Sequence, residues 1–361
     1  MTIKIKTLTP VHIGSGIELQ GNSEYLFFPN ERQMALVDET KVLKIIGEEQ
    51  IDQWLSVIQK QENLLDLLTQ KRKGLKPTDV ARRVIDLKGK VGDKRTIREQ
   101  LHTGTGNSFL PGTSLKGAIR TATWATLLIE NQHLVESKAN LGIIKKYNGQ
   151  FKFDDSPLSK KLFGNDPNHD IFRLLQVGDA TFHKTACYRT EVVNLTNQNW
   201  AIKDSLTQLI EAIPAKEESE IKLSYNQQLA KQSDYFNKYA SRLEPKSLFK
   251  LINKHTQRLI TEEIDYWTKE NTLIIGDYLE HLKEIKNTSE QITEGSGCIM
   301  RLGWGTGFRN MTGDWLGLLA DDVYQDLKES LRHRKYADMM FPKSMRLIAG
   351  GEPLGFIKMS I

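Results

Sequence analysis

The chain opens on an alternation of two. Ile3, Ile5 and Leu8 are interleaved with Lys4, Lys6 and Thr7, the pattern of a strand with one buried face. Pro10 and then Gly14-Ser15-Gly16 predict that it ends in a flexible loop. Tyr25 to Phe28 and Met34 to Val37 flank Pro29-Asn30-Glu31-Arg32 and read as a hairpin. From Lys41 to Leu68 the apolar period lengthens to that of amphipathic helices. Residues 103–112, TGTGNSFLPG, form a glycine-rich loop leading into a helix from 113, with Leu115, Ala118, Ile119, Ala122, Ala125 and Ile129 on one stripe. Thr113 or Ser114 can cap that helix, and Lys116, Arg120 and Thr123 fall on another face. Further strands are expected at Leu174 to Phe182, Tyr188 to Leu195, Glu220 to Tyr225, Cys298 to Leu302 and Leu354 to Ile361. Between them, Asn226 to Lys286 is helix-like, broken at Pro245.

This order predicts an α+β protein. Strand, helix, strand, strand, helix, strand is the order of a ferredoxin-like or RRM-like core. On that reading residues 1–361 form a single unit. Within it, 40–110 is a helical and basic insertion, and 226–293 is a helical insertion.

Charge changes the picture in one place. The whole chain carries only +5, which permits a polyanionic partner without requiring one. Residues 71–98 hold eleven Lys and Arg against three Asp, so the remainder of the chain is slightly acidic. This segment reads as an irregular, exposed insertion. Its Arg82, Arg83, Lys88, Lys94 and Arg95 are candidates for nucleic-acid contact, with a solvated charged face as the alternative.

Other chemistry is thin. Cys187 and Cys298 stand far apart and read as reduced, buried thiols. No histidine falls at metal-ligand spacing with another His, a Cys or a carboxylate, so neither a metal nor a cofactor is expected. The N-terminus lacks the apolar core of a signal peptide, and no apolar run spans a membrane; a soluble, cytoplasmic protein is expected.

Two loops resemble nucleotide-binding motifs and fail their tests. After Gly112 come Thr113, Ser114 and Leu115 before Lys116, so the Walker spacing is absent. What survives is a glycine-rich entry to a helix, whose free N–H groups suit an anion flanked by Lys116 and Arg120. GWGTGF (303–308) lacks the third glycine spacing of a dinucleotide fingerprint. Its Gly303, Gly305 and Gly307 allow close backbone approach, and Thr306 lies between them. Trp304 can stack on a base or simply pack. His12 could serve as a general base, although no second acid or cation lies nearby in sequence; a hydrogen-bonded, packed His is the plainer reading.

Three stretches, TPVHIGSG (9–16), FLPGTSLKGAIR (109–120) and GWGTGF (303–308), together resemble RAMP proteins of type III CRISPR effectors. FPKSMRLIAGGEPLGFIKM (341–359) is similar to the tail of the Csm-type RAMP that terminates the complex's backbone filament. The resemblance implies a ferredoxin-like core holding the 3′ portion of a CRISPR RNA through its backbone, with a role in CRISPR RNA maturation. It implies Gly14, Ser15, Gly16, the 112–120 loop-helix and residues 303–307 as RNA contacts. Implied partners are CRISPR RNA, target RNA, a neighbouring RAMP subunit, a small helical subunit and host trimming nucleases, with no membrane. The related target-cutting subunit carries an aspartate shortly after this first motif. Here Glu18-Leu19-Gln20-Gly21-Asn22-Ser23-Glu24 has none, so no nuclease activity is expected. The alternative is a RAMP endoribonuclease that processes the CRISPR RNA precursor through His12.

Overall fold

The structure, a computed structural model, describes residues 1–89, 96–136, 145–147, 150–152, 156–196, 198–232, 235–311, 314–322, 324 and 343–361. The alternating N-terminus forms β1 (Thr2–Thr7), with Ile3 and Ile5 wholly buried and the lysines between them exposed. β2 (Gly14–Gln20), β3 (Tyr25–Phe28) and β4 (Gln33–Val37) follow. Three helices come next, α1 (Glu39–Ile46), α2 (Ile51–Gln59) and α3 (Leu64–Lys71). Asp38 and Asn63 cap the first and third through side-chain oxygens. A single turn, α4 (Pro77–Val80), precedes β5 (Ala81–Lys88) and β6 (Thr96–Gln100).

β7 (Ser108–Leu110) runs into the long helix α5 (Gly112–Glu130). Then come β8 (Lys145–Tyr147), β9 (Gln150–Lys152), α6 (Ser156–Phe163), β10 (Leu175–Val177) and β11 (Ala180–Phe182). β12 (Ala186–Thr196), β13 (Asn199–Ile202), β14 (Gln208–Ala212) and β15 (Glu218–Tyr225) complete the middle. The C-terminal third holds α7 (Gln227–Ala230), α8 (Pro245–Glu270), α9 (Gly276–Glu290), β16 (Gly297–Arg301), β17 (Ser344–Ile348) and β18 (Phe356–Ser360).

Two sheets organise these elements. The first is antiparallel, in the order β10-β15-β1-β18-β16. Helices α5 and α8 cover one face, where Ile3, Ile5, Leu115, Ile119, Phe249 and Ile252 share the main core. On the other face Lys4 and Lys6 stand opposite Glu220 and Glu218. The final strand of the chain, β18, lies beside β1, and β16 takes the outer edge. That edge is covered by α8: Thr256 Oγ1 donates to the Ile299 carbonyl (2.7 Å), and Asn253 Oδ1 accepts from the Ile299 N–H (3.1 Å).

The second sheet runs β2-β6-β14-β12-β5-β4-β3, with β13 and β17 also paired to the long β12. Gly21 bridges Tyr25 where β2 meets β3, so the two ends of this sheet come together. The curl encloses Leu19, Met34, Ile85, Ile97 and Cys187, while α1 to α4 pack on its outer face.

Three expectations are corrected. The loop foreseen after the first strand contains β2. In its described residues the basic segment is not irregular: β5 pairs with β4 and β12, and β6 with β2 and β14. Pro245 does not break a helix but begins α8, where its missing N–H costs nothing. Among the described residues, no helix is long and apolar enough to cross a membrane.

Candidate nucleic-acid interface

The first and third sequence motifs meet in space. The Trp304 N–H donates to the His12 carbonyl (2.9 Å), and the Gly355 N–H to the Pro10 carbonyl (2.9 Å). Leu302 N–H donates to Gly355 O (2.9 Å), tying in the tail. Gly303 has φ +92°, and a Cβ there would stand 2.8 Å from the His12 carbonyl oxygen; only glycine lets these two backbones approach so closely. Gly14, Gly16 and Gly307 remain exposed on the surface of this cluster.

Trp304 sits at its centre. One side packs beside Ile210, Ile348 and Leu354. Two guanidinium groups lie over its ring, Arg346 at 4.5 Å and Arg98 at 5.3 Å. Arg98 also pairs with Glu18 (3.0 Å), both side chains being partly exposed. Arg346 donates to Thr190 Oγ1 (2.9 Å) and the Leu206 carbonyl (3.2 Å) and, among the described residues, meets no carboxylate. Burial first, and then the charge of Arg98, pull the Arg346 pKa down to about 10. Two half-buried cations with a single carboxylate, Glu18, between them, beside exposed glycine backbone, make a place that suits a phosphate chain. Neither arginine was singled out in the sequence. They lie on β6 and β17, and only the fold brings them to Trp304.

His12 is 1% exposed, and its Nδ1–H donates to the Glu211 carbonyl (2.6 Å). Burial holds its pKa below the ordinary value, so the ring is neutral at pH 7. Ser15 Oγ donates to Glu99 (3.1 Å) and accepts from the Ile17 N–H (3.1 Å). Thr306 is buried and closes its own turn by donating to the Gly303 carbonyl (3.0 Å).

The loop-helix differs from expectation. Its helix starts at Gly112, with Pro111 in the capping position and no side-chain cap from Thr113 or Ser114. A carboxylate already occupies the entry, because Asp179 accepts from the Gly112 N–H (2.6 Å). Gly112 is required for another reason: a Cβ there would stand 2.1 Å from the Val177 carbonyl oxygen. Lys116 Nζ donates to the Leu175 carbonyl (2.7 Å), and burial lowers its pKa. Arg120 donates to both oxygens of Asp170 (2.9 and 3.2 Å) and lies over Phe163 at 4.2 Å. Both cations therefore serve the packing of α5 on its neighbours.

The basic segment divides in the same way. Arg83 pairs with Glu211 (2.9 Å) and Glu99 (3.3 Å) on the inner side of the sheet. Arg82 reaches Glu99 only at 3.9 Å, and both Arg82 and Lys88 are exposed. Lys94 and Arg95 lie outside the described residues. Glu18 is engaged by Arg98, and Glu24 accepts from the Gln20 N–H (2.6 Å).

A chain built this way, two sheets joined by a glycine-rich loop cluster, belongs to the RAMP superfamily, whose family model matches residues 4–310. Two solved structures share the fold. One is a chain of a cryo-EM structure of a Csm–crRNA–target RNA ternary complex of a type III-A CRISPR-Cas system, with TM-score 0.68 and 20% identity over 100% of both chains. The other is the crystal structure of T. onnurineus Csm5, with TM-score 0.63 and 20% identity over 98% of this chain and 99% of that one. No curated protein matches by sequence.

Proposed function

We propose that this chain is a non-catalytic, RNA-holding subunit of a type III-A CRISPR ribonucleoprotein. In this reading it caps the backbone filament, holds the 3′ portion of the CRISPR RNA and takes part in its maturation. Its neighbours are a RAMP backbone subunit and a small helical subunit. Target RNA is read by pairing to the guide, and host nucleases trim the guide's end. The first sheet with α5 and α8 is then a ferredoxin-like core extended by one strand.

One observation carries the reading. Arg98 and Arg346 lie over Trp304, and Arg346 meets no carboxylate among the described residues, beside exposed glycine backbone from two motifs. Such a surface suits phosphates. The likeness to Csm chains supports the type of complex. Engagement of Glu18 and Glu24 in internal contacts supports the absence of nuclease chemistry.

A second reading, a RAMP endoribonuclease using His12, gains one point from the fold. Arg98 stands close enough to act on the His12 charge, supplying the cation the sequence lacked nearby. The burial of His12 weighs against it, since a general base must reach its proton.

The test is purification of the assembly with and without this chain, followed by sequencing of the bound RNA. Repeat–spacer RNA whose 3′ ends shift when the chain is omitted is the expected result. Unchanged ends, or RNA of arbitrary cellular origin, would remove the proposal. Cleavage of repeat RNA by the purified chain, lost in His12→Ala, would establish the second reading instead.

A further inference from the structure

Below the Gly14–Gly16 strand lies a second polar cluster that RNA holding does not use. Glu211, on β14, is wholly buried in the second sheet. Thr185 Oγ1 donates to its Oε1 (2.7 Å), and Arg83 (2.9 Å) and the Gln100 N–H (3.3 Å) donate to its Oε2. Glu99, at the end of β6, brings a second carboxylate, held by Arg83 (3.3 Å) and Ser15 (3.1 Å).

His102 completes the group, and its geometry is unusual. Its Nδ1–H donates to the Gln100 carbonyl at 2.6 Å. In a neutral ring Nε2 then carries a lone pair and no proton. That Nε2 is buried and, among the described residues, has no hydrogen-bond partner, on a side chain only 9% exposed. It faces Glu211 Oε1 at 3.4 Å, one acceptor against another. Two ligands about 2.0–2.1 Å from a tetrahedral ion stand about 3.3 Å apart. One donor atom each from Glu99, His102 and Glu211 lies within 4.8 Å of the others.

We infer that Glu99, His102 and Glu211 form a binding site for a divalent ion of the zinc class. One imidazole nitrogen and two carboxylate oxygens are a donor set such an ion accepts, leaving a fourth position for water. The Nδ1–H bond to a backbone carbonyl orients the ring as metal-bound histidines require. Arg83 holds Glu211 through Oε2 (2.9 Å) and Glu99 through Oε1 (3.3 Å), while Glu211 Oε1 faces His102. Two carboxylates against Arg83 leave one negative charge, and Arg82, at 3.9 Å and 56% exposed, screens it weakly. The ion would bind β6 to β14 directly beneath Ser15. The inference does not rest on the proposed RNA function.

The test uses the full chain, stripped with chelator, dialysed and titrated with Zn²⁺, then with Co²⁺ as a spectroscopic probe. One equivalent should bind, raise the thermal midpoint and, with Co²⁺, give visible absorption of a low-coordinate N/O site. His102→Ala, checked for folding by circular dichroism, should weaken binding by about 10–100-fold or more. His169→Ala, which alters a surface His–Asp pair at 2.6 Å, should bind as wild type does. X-ray absorption on the zinc-loaded wild type should give one imidazole among oxygen ligands, and reads the site even if His102→Ala does not fold. No stoichiometric binding would overturn the inference and make the 3.4 Å contact an imidazolium–carboxylate pair. Binding unchanged in a folded His102→Ala, or a shell without imidazole, would overturn it equally.

Discussion

At the residue scale, single atoms decide how closely the motifs meet. A Cβ at Gly303 would press on the His12 carbonyl oxygen at 2.8 Å, in backbone of φ +92°. Gly303→Ala should therefore cost about 1–3 kcal/mol of stability, measured by urea unfolding; an unchanged midpoint would mean that the loop yields. Glu352 supplies a pH test. Burial pushes its carboxyl up from 4.5 to about 7. The folded chain then holds that proton more tightly than the unfolded chain does. This contribution is present at low pH and is lost as pH rises from 4.5 through 7. Glu352→Gln should raise the thermal midpoint at pH 8 and leave it unchanged at pH 4; equal shifts at both would contradict the assignment. Which single residues the sequence revealed follows from distance along the chain. The glycines and Trp304 announce themselves in short motifs. Arg98 and Arg346 do not, because what gives them meaning is a ring more than 200 and more than 40 residues away, respectively.

At the element scale, α5 shows how a correct helix can carry a wrong role. Its apolar stripe was legible, and Leu115 and Ile119 are wholly buried. Its cations looked free because their partners, Leu175 O and Asp170, come 50 or more residues later. Arg120→Ala should destabilise the fold by about 1–3 kcal/mol through the lost charged hydrogen bonds. RNA affinity per folded molecule should not change; a stable variant with weakened RNA binding would return Arg120 to the interface. The helices of 226–290 are tied inward as well. Leu248, Phe249, Leu251, Ile252, Leu259, Ile260 and Trp267 are buried in the chain's own core, as the apolar spacing of a helical insertion allows. β2, β5, β6 and β14 were missed for a different reason. Charged and glycine-rich strands lack strict alternation when Arg83, Glu99 and Glu211 face inward and neutralise one another.

At the scale of the whole molecule, the two sheets set the loop cluster in place, and the account stands on that cluster holding an RNA backbone. The most direct measurement is RNA affinity across a salt series, for two unrelated sequences, comparing wild type with Arg98→Ala/Arg346→Ala. The account predicts that the double variant folds normally and binds both RNAs more weakly by a similar factor. Its dependence of log K on log salt should be shallower by about two units, one for each lost phosphate contact. A folded double variant with unchanged affinity and slope would contradict it, and so would a loss confined to one of the two sequences.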